Sequence, residues 1–235
     1  LGMCFGVRDA IALAVRESQA GPLTVLGDLV HNDTVLAELR SRGVSVAADL
    51  SQLRTRKVLV TAHGSSEKTM GDVRRRGFDL SEATCPLVHV AHRAVRRLVA
   101  EGFHPVIIGR RDHVEVRGLT GDLAEFDVVS TPEDVYELRE RRRIGVAAQT
   151  TQPIDRVRHL VELIRLRFPQ AEVRFIDTVC QPTKQRQNAA VELAQRCDAV
   201  VVIGGEHSNN TRELVETCRK HCVRVCHVQD ADGLS

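Results

Sequence analysis

Residues 78–98 read FDLSEATCPLVHVAHRAVRRL, and the change of pattern at Cys85 decides the fold. Phe78–Thr84 is a strand-like run. Beyond Cys85, the apolar residues Leu87, Ala91, Ala94, Val95 and Leu98 recur at three- and four-residue steps, the period of a helix. Pro86 sits in the first turn, where a helix has no use for the missing N–H. The same grammar occurs twice more. Cys4 leads into Val7, Ile11, Ala14 and Val15, and Val173–Val179 runs into Cys180, Pro182, Ala190, Leu193 and Ala194.

Each repeat continues past its helix. Val25–Leu26–Gly27 leads to His31, Val106–Ile107–Ile108–Gly109 to His113, and Val200–Val201–Val202–Ile203–Gly204 to His207. Continuous apolar runs ending in glycine read as buried parallel strands entering tight loops. The Cys-to-His separations are 27, 28 and 27 residues, an agreement that chance does not supply three times. A further strand, Val58–Leu59–Val60, empties into Thr61–Ala62–His63–Gly64–Ser65–Ser66. Ile144–Gly145–Val146 does the same into Ala147–Ala148–Gln149–Thr150–Thr151. The equivalent loop of the third repeat would fall beyond Ser235, so that copy is expected to be incomplete. The first is expected to lack the strand before Cys4. The expectation is an α/β fold of three pseudo-threefold-related units with mainly parallel sheets. Their bounds are 1–84 (opening strand missing), 85–179 and 180–235 (incomplete). Ligands bind outside the carboxyl ends of such sheets, where every residue singled out here lies.

Composition narrows the function. The 33 basic and 31 acidic residues leave a net charge of +2, with no electrostatic footprint for nucleic acid. Trp is absent and Tyr occurs once, so no base-stacking platform is offered. No apolar run approaches the roughly 20 residues of a membrane crossing. No secretion leader is read after Leu1. Seven cysteines, an odd number, argue against a disulfide framework and for a reducing cytoplasm.

Three thiolates converging on one centre point to a metal. An iron–sulfur cluster held by Cys4, Cys85 and Cys180 would keep one iron open. Zinc with three cysteines and a water competes, although the local CxxC spacing of structural zinc is absent. Cys197, Cys218, Cys222 and Cys226 are expected to be small buried hydrophobes. His31, His63 and His113 each follow a strand, and Ser208, Asn209 and Asn210 occupy the loop beside His207. Around one pocket these groups would make an anion cage suited to phosphate or diphosphate oxygens. No nucleotide-triphosphate loop is present. An extended His113–Val116 would turn His113 and Glu115 to one side, and Glu115 would serve as a general acid. The run Arg139–Arg143 reads as a solvated helix C-terminus.

These residues carry a resemblance. Gly2–Met3–Cys4–Phe5–Gly6–Val7, Leu29–Val30–His31–Asn32, Thr61–Ala62–His63–Gly64, Glu82–Ala83–Thr84–Cys85–Pro86–Leu87–Val88, His113–Val114–Glu115–Val116, Gln149–Thr150–Thr151, Asp177–Thr178–Val179–Cys180 and Ser208–Asn209–Asn210–Thr211 stand in order along the chain. Together they resemble the 4-hydroxy-3-methylbut-2-enyl diphosphate reductases, the LytB/IspH family, which close the non-mevalonate isoprenoid route. The resemblance implies a trefoil of three α/β domains around a [4Fe–4S] cluster ligated by Cys4, Cys85 and Cys180. It implies His31, His63 and His113 as diphosphate ligands, with Thr150, Ser208, Asn209 and Asn210 as further substrate contacts. Glu115 matches the proton donor. The implied partners are a small allylic diphosphate and an electron donor such as ferredoxin or flavodoxin, with no nucleic acid and no membrane. Val114 stands where the family usually has proline. Two other readings remain open: a non-enzymatic Fe–S redox sensor or degenerate module of the same fold, and a zinc protein that binds phosphorylated partners.

Overall fold

A computed structural model describes residues 3–230 and Gly233. Gly2 of the opening motif, Leu1 and Ser235 lie outside the described residues. The first sheet holds β1 (Leu23–Leu26), β2 (Val44–Ala47), β3 (Lys57–Val60) and β4 (Asp79–Glu82), all parallel, in the order β2-β1-β3-β4. The second holds β5 (His104–Ile108), β6 (Asp127–Val129), β7 (Arg143–Ala148) and β8 (Glu172–Phe175), in the matching order β6-β5-β7-β8. The third pairs β9 (Ala199–Ile203) with β10 (Arg224–Val228), again parallel. The repeat read in the sequence is therefore a repeat of sheet order.

Helices fill the crossovers: α1 (Phe5–Gln19), α2 (Asp33–Ser41), α3 (Glu67–Arg75), α4 (Pro86–Ala100), α5 (Val114–Thr120), α6 (Pro132–Glu137), α7 (Ile154–Arg167), α8 (Gln181–Arg196) and α9 (Asn209–Arg219). Alternation along the strands explains the packing. Val106 and Ile108 of β5 join a core with Leu160, Val161 and Ile164 of α7. Ile107, between them, faces the opposite side with Ala91, Val95 and Leu98 of α4. A sheet buried on both faces needs apolar residues at consecutive positions, which is why the runs read as unbroken.

Four expectations need correction. The β9 run is not buried on both faces: Val201 and Ile203 are 45% and 68% exposed, while Val200 and Val202 are buried. α8 and α9 pack on one face, and among the described residues nothing covers the other. Cys218 and Cys222 are buried, but Cys197 and Cys226 are exposed. His113–Val116 is not extended: His113 caps α5 and Val114 opens it, in the position where proline also fits a helix. Arg139–Arg142 follow α6 in an irregular connection into β7 rather than ending a helix, with Arg141 paired to Glu125.

The units interlock at the carboxyl ends of their sheets. Asp122, just past α5, accepts hydrogen bonds from the backbone N–H groups of Glu67 (2.8 Å) and Lys68 (2.9 Å) at the start of α3. This caps a helix of the first unit with a carboxylate of the second. Asn209 of the third unit donates to the Thr151 hydroxyl of the second at 3.1 Å. Gly205 packs so closely on the first unit that an added Cβ would stand 2.0 Å from the His31 carbonyl oxygen. Gly205→Ala is expected to lower unfolding free energy by ~1–3 kcal/mol in urea denaturation, the usual cost of overpacking. An unchanged midpoint would mean that this approach is absent in solution.

Candidate functional site

Cys4, Cys85 and Cys180 occupy one structural position three times over. Each is the N-cap residue of a long helix, α1, α4 and α8, and none of their side chains caps its own helix. A helix N-terminus favours a negative group, so each thiol sits where a thiolate gains from the helix dipole. The backbone N–H of Cys85 bonds the Ala62 carbonyl at 3.0 Å, and that of Cys180 bonds the Thr150 carbonyl at 3.0 Å. Both cysteines are thereby tied to the loop leaving the neighbouring strand of the preceding sheet. The helix carrying Cys4 meets Cys85 directly: a Cβ on Gly6 would lie 2.6 Å from Cys85 Sγ.

Cys85 and Cys180 each feel their thiol neighbours. Burial pushes the Cys85 thiol up, and the charges of Cys4 and Cys180 push it further. Burial also raises Cys180, with Glu115 and Cys4 adding to the effect. Three half-buried soft donors that repel as anions are poorly served alone and well served by a shared cation. The set fits an iron–sulfur cluster with three cysteine ligands, whose iron reverses that repulsion. One contact went unread in the sequence. Thr183 Oγ1 lies 3.0 Å from Cys180 Sγ. The third residue after each cysteine is Val7, Val88 and Thr183, and that lone hydroxyl was the available signal.

His31, His63 and His113 come together from three loops. His31 follows β1, His63 follows β3 before Gly64 turns the chain at φ 74°, and His113 starts α5. One ring nitrogen from each lies within 4.8 Å of those of the other two. His31 and His63 stack at 4.6 Å between centroids, and His113 stands edge-on to both at 5.4 and 5.5 Å. Burial lowers all three pKa values. His63 falls well below the ordinary imidazole value, with His31 and His113 adding repulsion, and His113 falls to about 4. Three neutral rings packed this closely are poised to take up charge when an anion arrives. His113 Nδ1 accepts a hydrogen bond from the Glu115 N–H at 3.1 Å. In the neutral ring this leaves the proton on Nε2, so the other face of the ring is a donor. His63 Nδ1 is buried without a protein partner, a cost that a bound ligand would relieve. His207 is exposed, yet its charge reaches His31.

Glu115 is 1% exposed. Its two carboxylate oxygens accept from the Thr150 N–H (2.6 Å) and hydroxyl (3.0 Å). Burial outweighs these bonds and raises its pKa to about 7. Its charge also reaches the Cys180 thiol. A carboxyl able to hold a proton at neutral pH thus adjoins the thiol centre. Of the other expected site residues, Ser208 caps α9 through its hydroxyl, Asn209 is engaged with Thr151, and Asn210 is half-buried in the first turn of α9.

A family model described as LytB protein matches residues 1–235. A 4-hydroxy-3-methylbut-2-enyl diphosphate reductase of Thermoanaerobacter sp. (strain X514) is 34% identical over 242 residues, covering 100% of this chain and 83% of that protein. The enzyme of the same name from Geobacter sulfurreducens is 34% identical over 236 residues, covering 99% and 83%. Among solved structures, the E-1-hydroxy-2-methyl-but-2-enyl-4-diphosphate reductase from Plasmodium falciparum superposes with a TM-score of 0.89 at 27% identity, covering 98% of this chain and 74% of that one. A structure of (E)-4-hydroxy-3-methyl-but-2-enyl diphosphate reductase, the terminal enzyme of the non-mevalonate pathway, gives 0.73 at 33% identity, covering 100% and 85%.

The buried carboxyl makes stability depend on pH. The folded pKa of Glu115, about 7, lies above the ordinary 4.5, so folding favours its protonated form and loses stability as pH rises between those values. Glu115→Gln should therefore stabilise the substrate-free protein by up to about 3 kcal/mol at pH 8 and by almost nothing at pH 4. Urea denaturation at both pH values reads the difference. Equal effects at the two would show an ordinary carboxyl.

Proposed function

The chain belongs to the LytB protein family, and from that membership we propose that it is an iron–sulfur reductase of (E)-4-hydroxy-3-methylbut-2-enyl diphosphate. The reaction removes the allylic hydroxyl with two electrons and two protons, releasing water and giving isopentenyl and dimethylallyl diphosphates. Cys4, Cys85 and Cys180 would hold a [4Fe–4S] cluster. When bound, the cluster supplies electrons one at a time and an iron with an open position as a Lewis acid.

The protein's own groups do the rest. His31, His63 and His113 bind the diphosphate. Its negative charge raises their pKa values, so the imidazoles take up protons as it docks and become charge-assisted donors. The fixed tautomer of His113 offers Nε2–H before any proton is taken up. Ser208, Asn209 and Asn210 extend the polar wall at the start of α9. Asn209 also holds that wall against the Thr151 loop. Glu115 is the proton donor, and Thr150 aims it through the N–H and hydroxyl at its two oxygens. Burial keeps water from competing for that proton.

The observation that carries the reading is this buried carboxyl, with a pKa of about 7, close enough for its charge to reach Cys180 and with the Glu115 backbone N–H bonded to His113. A redox sensor has no need of such an acid. The electrons come from outside the chain, and a one-electron donor such as ferredoxin or flavodoxin fits. Cluster-bearing thiolates suit a reducing compartment, so the cytoplasm is the expected location. Among the described residues no helix is long and apolar enough to cross a membrane.

Anaerobic reconstitution should load about four irons per chain with broad visible absorbance. Glu115→Gln should keep that absorbance while turnover drops about 10²–10⁴-fold. Zinc as the only bound metal would refute the cluster, and undiminished turnover of the variant would refute the acid.

A further inference from the structure

The three cysteine positions are alike in backbone and unlike in one side chain. Each caps a helix, and the residue three further on lies in the first turn of that helix. That residue is Val7 after Cys4, Val88 after Cys85 and Thr183 after Cys180. Valine and threonine have nearly the same shape, so packing alone gives no reason for the change, and a buried hydroxyl carries a desolvation cost that a methyl does not. Thr183 is 3% exposed, which puts its hydroxyl out of reach of bulk water. Its Oγ1 lies 3.0 Å from Cys180 Sγ, within the range of a hydrogen bond to sulfur.

We propose that the Thr183 hydroxyl donates a hydrogen bond to the Cys180 sulfur and thereby raises the reduction potential of the cluster. This rests on the cluster reading given above. The direction of the bond follows from chemistry. Between a thiol and a hydroxyl either group can donate, but a metal-bound thiolate has no proton, so only Thr183 can. A donor at a ligand sulfur draws off negative charge. Reduction adds one electron to the cluster, so the bond stabilises the reduced state more than the oxidised one. First-turn N–H groups of α4 and α8 act in the same direction at Cys85 and Cys180, but the hydroxyl acts at Cys180 alone. The bond therefore draws charge from Cys180, on the side where Glu115 lies. Thr183 acts through Cys180 and is a positioning and tuning residue.

Thr183→Val makes the third position match the other two. Holoprotein of the parent and of Thr183→Val should contain equal iron and show the same visible absorbance per iron. An EPR-monitored redox titration should show the reduced-to-oxidised ratio of the variant lowered about tenfold at a fixed applied potential, a midpoint shift of about 59 mV to the negative for one electron. Thr183→Ser, which keeps the hydroxyl, should restore most of the parent potential. A fully loaded Thr183→Val cluster at the parent potential overturns the proposal and leaves the reductase reading intact. So does a Thr183→Ser variant shifted as far as Thr183→Val, because the hydroxyl is then not the cause. A parent protein that assembles no cluster overturns both.

Discussion

Two backbone hydrogen bonds hold the centre of the molecule together: Cys85 N–H to the Ala62 carbonyl and Cys180 N–H to the Thr150 carbonyl, each at 3.0 Å. In both places the chain finishes one sheet with a last strand, β4 or β8, and begins the next unit with a helix. The cysteine is the hinge residue between them. Its amide is pinned to the loop of the neighbouring strand, and its thiol is left at the helix N-terminus. The loops so pinned carry His63 and Thr150. A displacement of either helix would move a thiol and a polar loop together, so the two halves of the proposed site are one mechanical unit.

Burial then sets the electrostatics. The same removal from water pushes the acids and the bases in opposite directions. Glu115 is raised to about 7 and the thiols of Cys85 and Cys180 are raised, while His113 falls to about 4 and His63 falls well below its usual value. Every one of these groups is thus biased to be neutral in the protein alone. An anionic substrate against the imidazoles, and a cationic metal centre against the thiols, would each restore the charged form. The site is built to be completed by what it binds, and that is the physical content of the functional proposal.

Much of this was legible in the sequence, for identifiable reasons. The helices after Cys85 and Cys180 were readable because proline marks their first turns and the apolar residues keep a helical period. The central strands were readable because sheets covered on both sides leave unbroken apolar runs. The short edge strands β2 and β6 were not, since three or four residues carry little period, and an edge does not demand full burial. Val114–Glu115–Val116 looked extended because β-branched residues flank a charge, as in a half-buried strand. In the fold, the His113 side chain caps that segment into a helix, and tertiary context overrides the local preference. The burial of Glu115 was hidden for a related reason: a carboxylate in a charged stretch reads as solvated, and only the Thr150 loop from another strand reveals its shelter. His31, His63 and His113 were expected together because each follows a strand, and the rings do meet. The equal Cys-to-His separations pointed to His207 in place of His63, and His207 is exposed.

The claim on which the rest depends is that Cys4, Cys85 and Cys180 share one inorganic centre. Crystals of the anaerobically prepared holoprotein, measured with anomalous diffraction at the iron edge, address it most directly. Convergence of the thiols predicts a single compact iron peak bounded by the three Sγ atoms. Iron seated elsewhere, or three sulfurs turned apart around a lone zinc, would contradict it.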